Sequence, residues 1–225
     1  MSTFGEIVEP SSRNVWEDWD ETNEDINIVQ LHWKRENDEP NHIGTLIILE
    51  SKYLFDSLKQ SENMDVVNSV TGIHMDLYRI KASNDYVCVL KDYDLVLSSQ
   101  IVDLMKTYIT VSDEVIAILI KPLATYHSSG DQLQDCIIRR LSTKADSTSM
   151  LMNYLKLEQP NIISGVSAGA ICLREVLNLP GSAVLFYMEQ LENNEVNELY
   201  KLLRNLNILV GKQKCNSILS SNLYV

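Results

Sequence analysis

Nothing in this 225-residue sequence approaches the ~18 consecutive apolar residues needed to cross a bilayer. Its start, MSTFGEIVEPSS, has neither the basic n-region nor the apolar h-region of a secretory signal, and neither end carries a lipidation motif. Cysteine is scarce. Cys88, Cys136, Cys172 and Cys215 stand far apart with no C-x-x-C pair, so the spacing of a zinc site or a disulfide framework is missing. The expectation is buried, reduced thiols in a cytosolic or nuclear protein. Positive charge is short as well. Against 31 Asp and Glu stand 19 Lys and Arg, a net charge of −12 that argues against a nucleic-acid binder. P-loop, G-x-G-x-x-G, H-E-x-x-H and EF-hand patterns are absent, and the histidines do not fall at ligand spacing on one helix. These absences predict no metal, no cofactor, no membrane and no nucleic acid as partner.

The charge that is present is uneven. Residues 1–40 hold eleven acids and three bases, which places most of the negative excess there. The stretch WEDWDETNED (16–25) predicts a solvated acidic arm over residues 1–25. Trp16, Trp19 and Trp33 sit among acids that repel phosphates, so they are read as packing groups rather than base-stacking ones. A domain is expected over 26–210 and a tail without periodicity over 211–225.

Within the domain, apolar runs and amphipathic stretches alternate. INIVQLHW (26–33) and GIHMDLYRI (72–80) alternate as half-buried strands do, the latter with Ile73, Met75, Leu77 and Arg79 on one side. Continuous apolar runs at 43–49, 114–120 and 183–188 read as strands covered on both faces, and 86–90 and 93–97 as further strand, the latter passing into a helix from about Leu95. Helices are expected at 53–58, from Ser98 or Ser99 as cap through Ile109, at 150–157, at 164–177 and at 194–206. Residues 122–135 read as an exposed loop, and 136–144 suits helix or strand equally. The pattern implies a layered α/β domain with a largely buried central sheet flanked by helices.

One motif carries the promise of chemistry. Gly165-Val166-Ser167-Ala168-Gly169 fits the G-x-S-x-G of a serine hydrolase. A serine hydroxyl needs a base to take its proton. In α/β-hydrolases the acid and the histidine follow the serine, yet His32, His42, His74 and His127 all precede Ser167, and the last aspartate is Asp146. The plainer reading makes Ser164 or Ser167 a helix cap, with Gly165 and Gly169 permitting a turn and close packing. No catalytic residue is then expected. A serine hydrolase using Ser167 is the alternative.

The sequence closes on Ser221-Asn222-Leu223-Tyr224-Val225, a hydrophobic residue followed by tyrosine and one more residue. Together with Phe4-Gly5-Glu6-Ile7-Val8-Glu9 and Leu157-Glu158-Gln159-Pro160-Asn161, this ending resembles the landmarks of the proteasome assembly chaperone 1 family, in the right order. The resemblance implies a non-enzymatic α/β scaffold. It implies a heterodimer with proteasome assembly chaperone 2, seated on the α-subunit ring of the proteasome core particle, that promotes ring assembly and blocks off-pathway association. It also implies that Leu223, Tyr224 and Val225 form a proteasome-binding plug, with the Val225 carboxylate meeting a lysine in a pocket between α subunits.

Overall fold

The computed structural model describes residues 30–35, 40–51, 63–127, 136–145, 149–188 and 195–209. The described residues from Leu31 onward belong to one unit. The acidic arm, the helix expected at 53–58, the first half of the strand expected at 26–33 and the tail lie outside them; the second half of that strand is irregular, with Trp33 pairing in an isolated bridge to Val70.

Eight strands make one mixed sheet: β1 (Ile43–Glu50), β2 (Met64–Ser69), β3 (His74–Ile80), β4 (Tyr86–Lys91), β5 (Ser112–Lys121), β6 (Cys136–Ser142), β7 (Leu155–Lys156) and β8 (Gly181–Met188). Their spatial order is β2-β3-β4-β1-β5-β8-β6-β7. The four central strands, β4, β1, β5 and β8, run parallel. β2 and β3 extend the sheet antiparallel on one side. β6 joins β8 antiparallel on the other, and β7 closes the sheet parallel to β6.

The central strands are apolar without alternation because both faces are covered. Leu46 and Ile48 of β1 enter one core, Ile47 and Leu49 the other. The first core takes α1 (Ser98–Leu104), α2 (Lys106–Val111) and α3 (Gly165–Val176) through Ile101, Tyr108, Ile109, Val166, Ala170 and Ile171. The second takes α4 (Glu195–Asn205), whose Leu199, Leu202 and Leu203 share one stripe. β8 is buried at every position. The α/β layered domain read from the sequence is the observed one.

Several local expectations are corrected. Residues 93–97 are not strand: β4 ends at Lys91, and Leu95–Leu97 form a 3-10 turn whose first turn is capped by the Asp94 side chain. The helix expected from Ser98 to Ile109 breaks at Met105 into α1 and α2, and neither serine caps it, since α1 begins after Leu97 with no side-chain cap. Residues 150–157 are not helical. A 3-10 turn at Ser149–Leu151 buries Leu151, and Leu155 and Lys156 then pair with Arg139 and Arg140 of β6. Here sheet pairing overrides a spacing that also suits a helix. The ambiguous 136–144 resolves as β6, held along its length by β8. On β3, Met75 and Leu77 are buried but Arg79 is exposed, and Tyr78 and Ile80 fill the opposite face. Cys88 is buried as expected, whereas Cys172 is exposed on α3.

Candidate functional site

The carboxyl ends of β1 and β5 each present a charged residue after an apolar stretch, Glu50 and Lys121. In parallel α/β sheets this is the end where ligands gather. The GVSAG motif arrives at the same place as the first turn of α3.

Two of its backbone donors are already spoken for. The Ser167 N–H donates to Glu50 Oε2 at 3.0 Å. The Val166 N–H donates to the Tyr93 hydroxyl at 2.9 Å, and that hydroxyl in turn donates to Glu50 Oε1. Two orphan N–H groups of the helix start are thus satisfied by a carboxylate and a phenol from β1 and from the segment after β4. Burial, and then the neighbouring Glu50 charge, push the Tyr93 hydroxyl well above its usual range, so it stays a donor. Lys121 donates to the Ile162 carbonyl at 3.2 Å. Burial lowers its pKa, opposed by the charge of Glu50.

Gly165 explains why the motif needs its first glycine. Its φ is +82°, and a Cβ there would collide with the Glu50 carboxylate and the Tyr93 hydroxyl. Gly169 answers a different need: a Cβ would meet Val102 Cγ2 at 2.7 Å, so α1 and α3 approach closely there. Both glycines have the structural roles read from the sequence. The serine caps do not. Ser164 makes no cap hydrogen bond, and the capping comes instead from Glu50 and Tyr93.

Ser167 is fully buried, and its Oγ has no hydrogen-bond partner among the described residues. A nucleophile needs a base in contact and an approach for substrate; this hydroxyl is fully buried and no base meets it among the described residues. No strand leads into the turn, because residues 157–164 are irregular after the two-residue β7. Among the described residues no cluster of three or more His, Cys, Asp or Glu could hold a metal. His42 pairs with Asp113 at 3.0 Å on the surface, and the His127 backbone is clasped by the Asn161 carboxamide, 2.8 Å in each direction.

That last contact places the LEQPN landmark. Glu158 binds Arg139 Nε at 2.8 Å and accepts from the Tyr126 hydroxyl, while Arg139 stands 5.1 Å over the Tyr126 ring. The segment fastens the loop after β5 to β6. Sequence reading singled it out, but not Glu50, Tyr93 or Lys121. The signal for Glu50 and Lys121 was a single charge closing each apolar run. Leu223, Tyr224 and Val225 lie outside the described residues.

No family model matches the sequence, and no curated protein matches it. Solved structures do. PbaA of Pyrococcus furiosus, an archaeal homologue of proteasome-assembly chaperone, aligns with a TM-score of 0.58 at 12% identity, over 81% of this chain and 84% of that one. The fold is that of a proteasome-assembly chaperone homologue. A Thermoplasma acidophilum protein of unknown function shares the chaperone-like fold at a TM-score of 0.56 and 10% identity, over 78% of this chain and 81% of that one. PbaB of Pyrococcus furiosus, described as an archaeal proteasome activator, does so at 0.50 and 10%, over 79% of this chain and all but 1% of its own length.

Proposed function

We infer that this chain is a proteasome assembly chaperone. It works as a heterodimer with a second related chaperone, proteasome assembly chaperone 2, binds α-subunits of the core particle, and acts as a scaffold rather than an enzyme. The observation that carries the reading is the fold shared with PbaA, aligned over about four fifths of both chains. The sealed surroundings of Ser167 support it, because the one motif that suggested catalysis is absorbed into the start of α3.

Leu223, Tyr224 and Val225 are the proposed docking element. A buried leucine contributes about 1.5–3 kcal/mol, and a charged hydrogen bond from the terminal carboxylate roughly 1.5–3 kcal/mol. Ordering each residue costs about 1–2 kcal/mol. Three residues therefore bind weakly alone and need the body of the pair to raise their effective concentration.

The test is co-expression of the chain with the second chaperone and α-subunits, with and without Leu223–Val225. The expected result is loss of α-subunits from the truncated complex while the chaperone pair persists. Undiminished recovery of α-subunits would remove the tail from the mechanism. Recovery of neither partner by the full chain would remove the chaperone assignment itself.

A further inference from the structure

The edge of the sheet at β7 is chemically unfinished. Arg140, on β6, is 5% exposed. Its Nη1 reaches the Met152 sulfur at 3.0 Å, and its Nε has no partner among the described residues. Among the described residues no carboxylate pairs with it, nor with Lys156, its neighbour in register on β7. Buried cations are ordinarily paired, because an uncompensated charge taken out of water is costly. The contrast with Arg139, one residue away and bound to Glu158, is direct.

The backbone is open at the same place. Among the described residues no strand lies beyond β7. The Leu157 N–H donates to the Arg140 carbonyl at 2.7 Å. By the alternation of a parallel ladder, the Lys156 N–H and C=O then point away from β6. Two large apolar side chains flank this position in water, Leu155 at 68% and Met152 at 51% exposed. Sheets usually blunt such an edge. β7 relies on its two-residue length and on Lys156, whereas the opposite edge is also bulged and covered: β2 carries a bulge between Val66 and Asn68, and Trp33, Lys34 and Arg35 bond to Val70, Ser69 and Asn68 beside it.

We propose that the β6–β7 edge is an interaction surface that takes an extended acidic segment of the partner chaperone. Its backbone adds alongside Lys156, its apolar residues cover Leu155 and Met152, and a carboxylate compensates Arg140 and Lys156. This rests on the reading of the chain as one half of a chaperone pair. Strand addition draws affinity from backbone hydrogen bonds and selectivity from side chains on alternate positions. The acidic character of the occupant follows from two cations that have no counter-charge among the described residues.

The test uses the full chain and the partner chaperone, with affinity measured by biolayer interferometry at two salt concentrations. Leu155→Asp with Lys156→Glu changes exposed positions only. It is expected to weaken the pair by about tenfold or more while thermal unfolding of the free chain stays where it was. Lys156→Glu alone should weaken it more than Lys156→Gln, and the gap should shrink at high salt. Hydrogen exchange gives a second readout: the Lys156 amide should gain protection on binding. Unchanged affinity of the double variant, or an unprotected Lys156 amide in the complex, overturns the surface while leaving the pair intact. Failure of the unmodified chain to bind the partner overturns both.

Discussion

Two buried arginines divide the molecule into a finished and an unfinished half. Arg174, on α3, is fully buried and donates to four backbone carbonyls, of Pro180, Ile109, Ser112 and Asp113, at 2.7 to 2.8 Å. It ties the end of α3 to the end of α2 and the start of β5. Burial lowers its pKa, offset by the charges of Glu114 and Asp113. Arg140 is nearly as buried, yet among the described residues it meets one sulfur and leaves Nε bare. Most buried polar groups are satisfied within the fold, and Ser167 Oγ is a neutral exception. A buried cation left incomplete at an open edge is where a second chain has something to add.

Replacing each arginine with methionine, which keeps most of the length and removes the charge, breaks this comparison most sharply. Arg174→Met removes a donor from four carbonyls, of which Pro180 keeps the Val115 N–H, and should cost about 3–5 kcal/mol in urea unfolding. Arg140→Met removes an uncompensated charge and should leave the isolated chain between unchanged and about 1 kcal/mol more stable. Equal destabilisation by the two variants would mean that Arg140 is satisfied after all, and the edge would lose its distinction.

A smaller effect is expected at the carboxyl end of the sheet, which belongs to the finished half. Gly165→Ala forces a side chain into a left-handed backbone at φ +82° and against Glu50 and Tyr93. A strained φ of this kind costs about 1–3 kcal/mol before any displacement of the cap. The loss should appear as a lower unfolding midpoint, with the Val166 and Ser167 amides exchanging faster. Unchanged exchange there would mean that Glu50 and Tyr93 do not hold the helix start.

How much of this could be read in the sequence depends on how far apart the interacting residues are. β1, β5 and β8 were legible because strands covered on both faces have no polar interruption, and the stripe of α4 because one face of a helix repeats every turn. The turn at Gly165 was legible as a glycine requirement. Its cap was not, because Glu50 and Tyr93 stand 117 and 73 residues from the amides they bind. Ser164 and Ser167 were the local candidates, and distant groups displaced them. Residues 150–157 misled for a related reason. Met150, Leu151, Tyr154 and Leu157 repeat as a helix face would, and only the presence of β6 alongside turns Leu155 and Lys156 into strand. Arg140 carried no signal at all, since an arginine inside CIIRRLS reads like the paired Arg139 beside it.

The smallest expected effect separates chemistry from packing at the serine itself. Ser167→Ala removes a hydroxyl that is fully buried and has no partner among the described residues. Alanine is also the better helix former, by a few tenths of a kcal/mol. A desolvated, unsatisfied donor contributes nothing that its removal would lose. The variant should therefore be unchanged or about 0.5–1 kcal/mol more stable, and neither protein should take up a fluorophosphonate probe. Binding of α-subunits should be untouched. Two results would reverse this. Probe labelling that disappears with the hydroxyl would restore the hydrolase reading and require a base brought to Ser167. A loss of more than about 1 kcal/mol without labelling would mean that the hydroxyl has a structural partner, and α3 would then be held by three groups at its first turn rather than two.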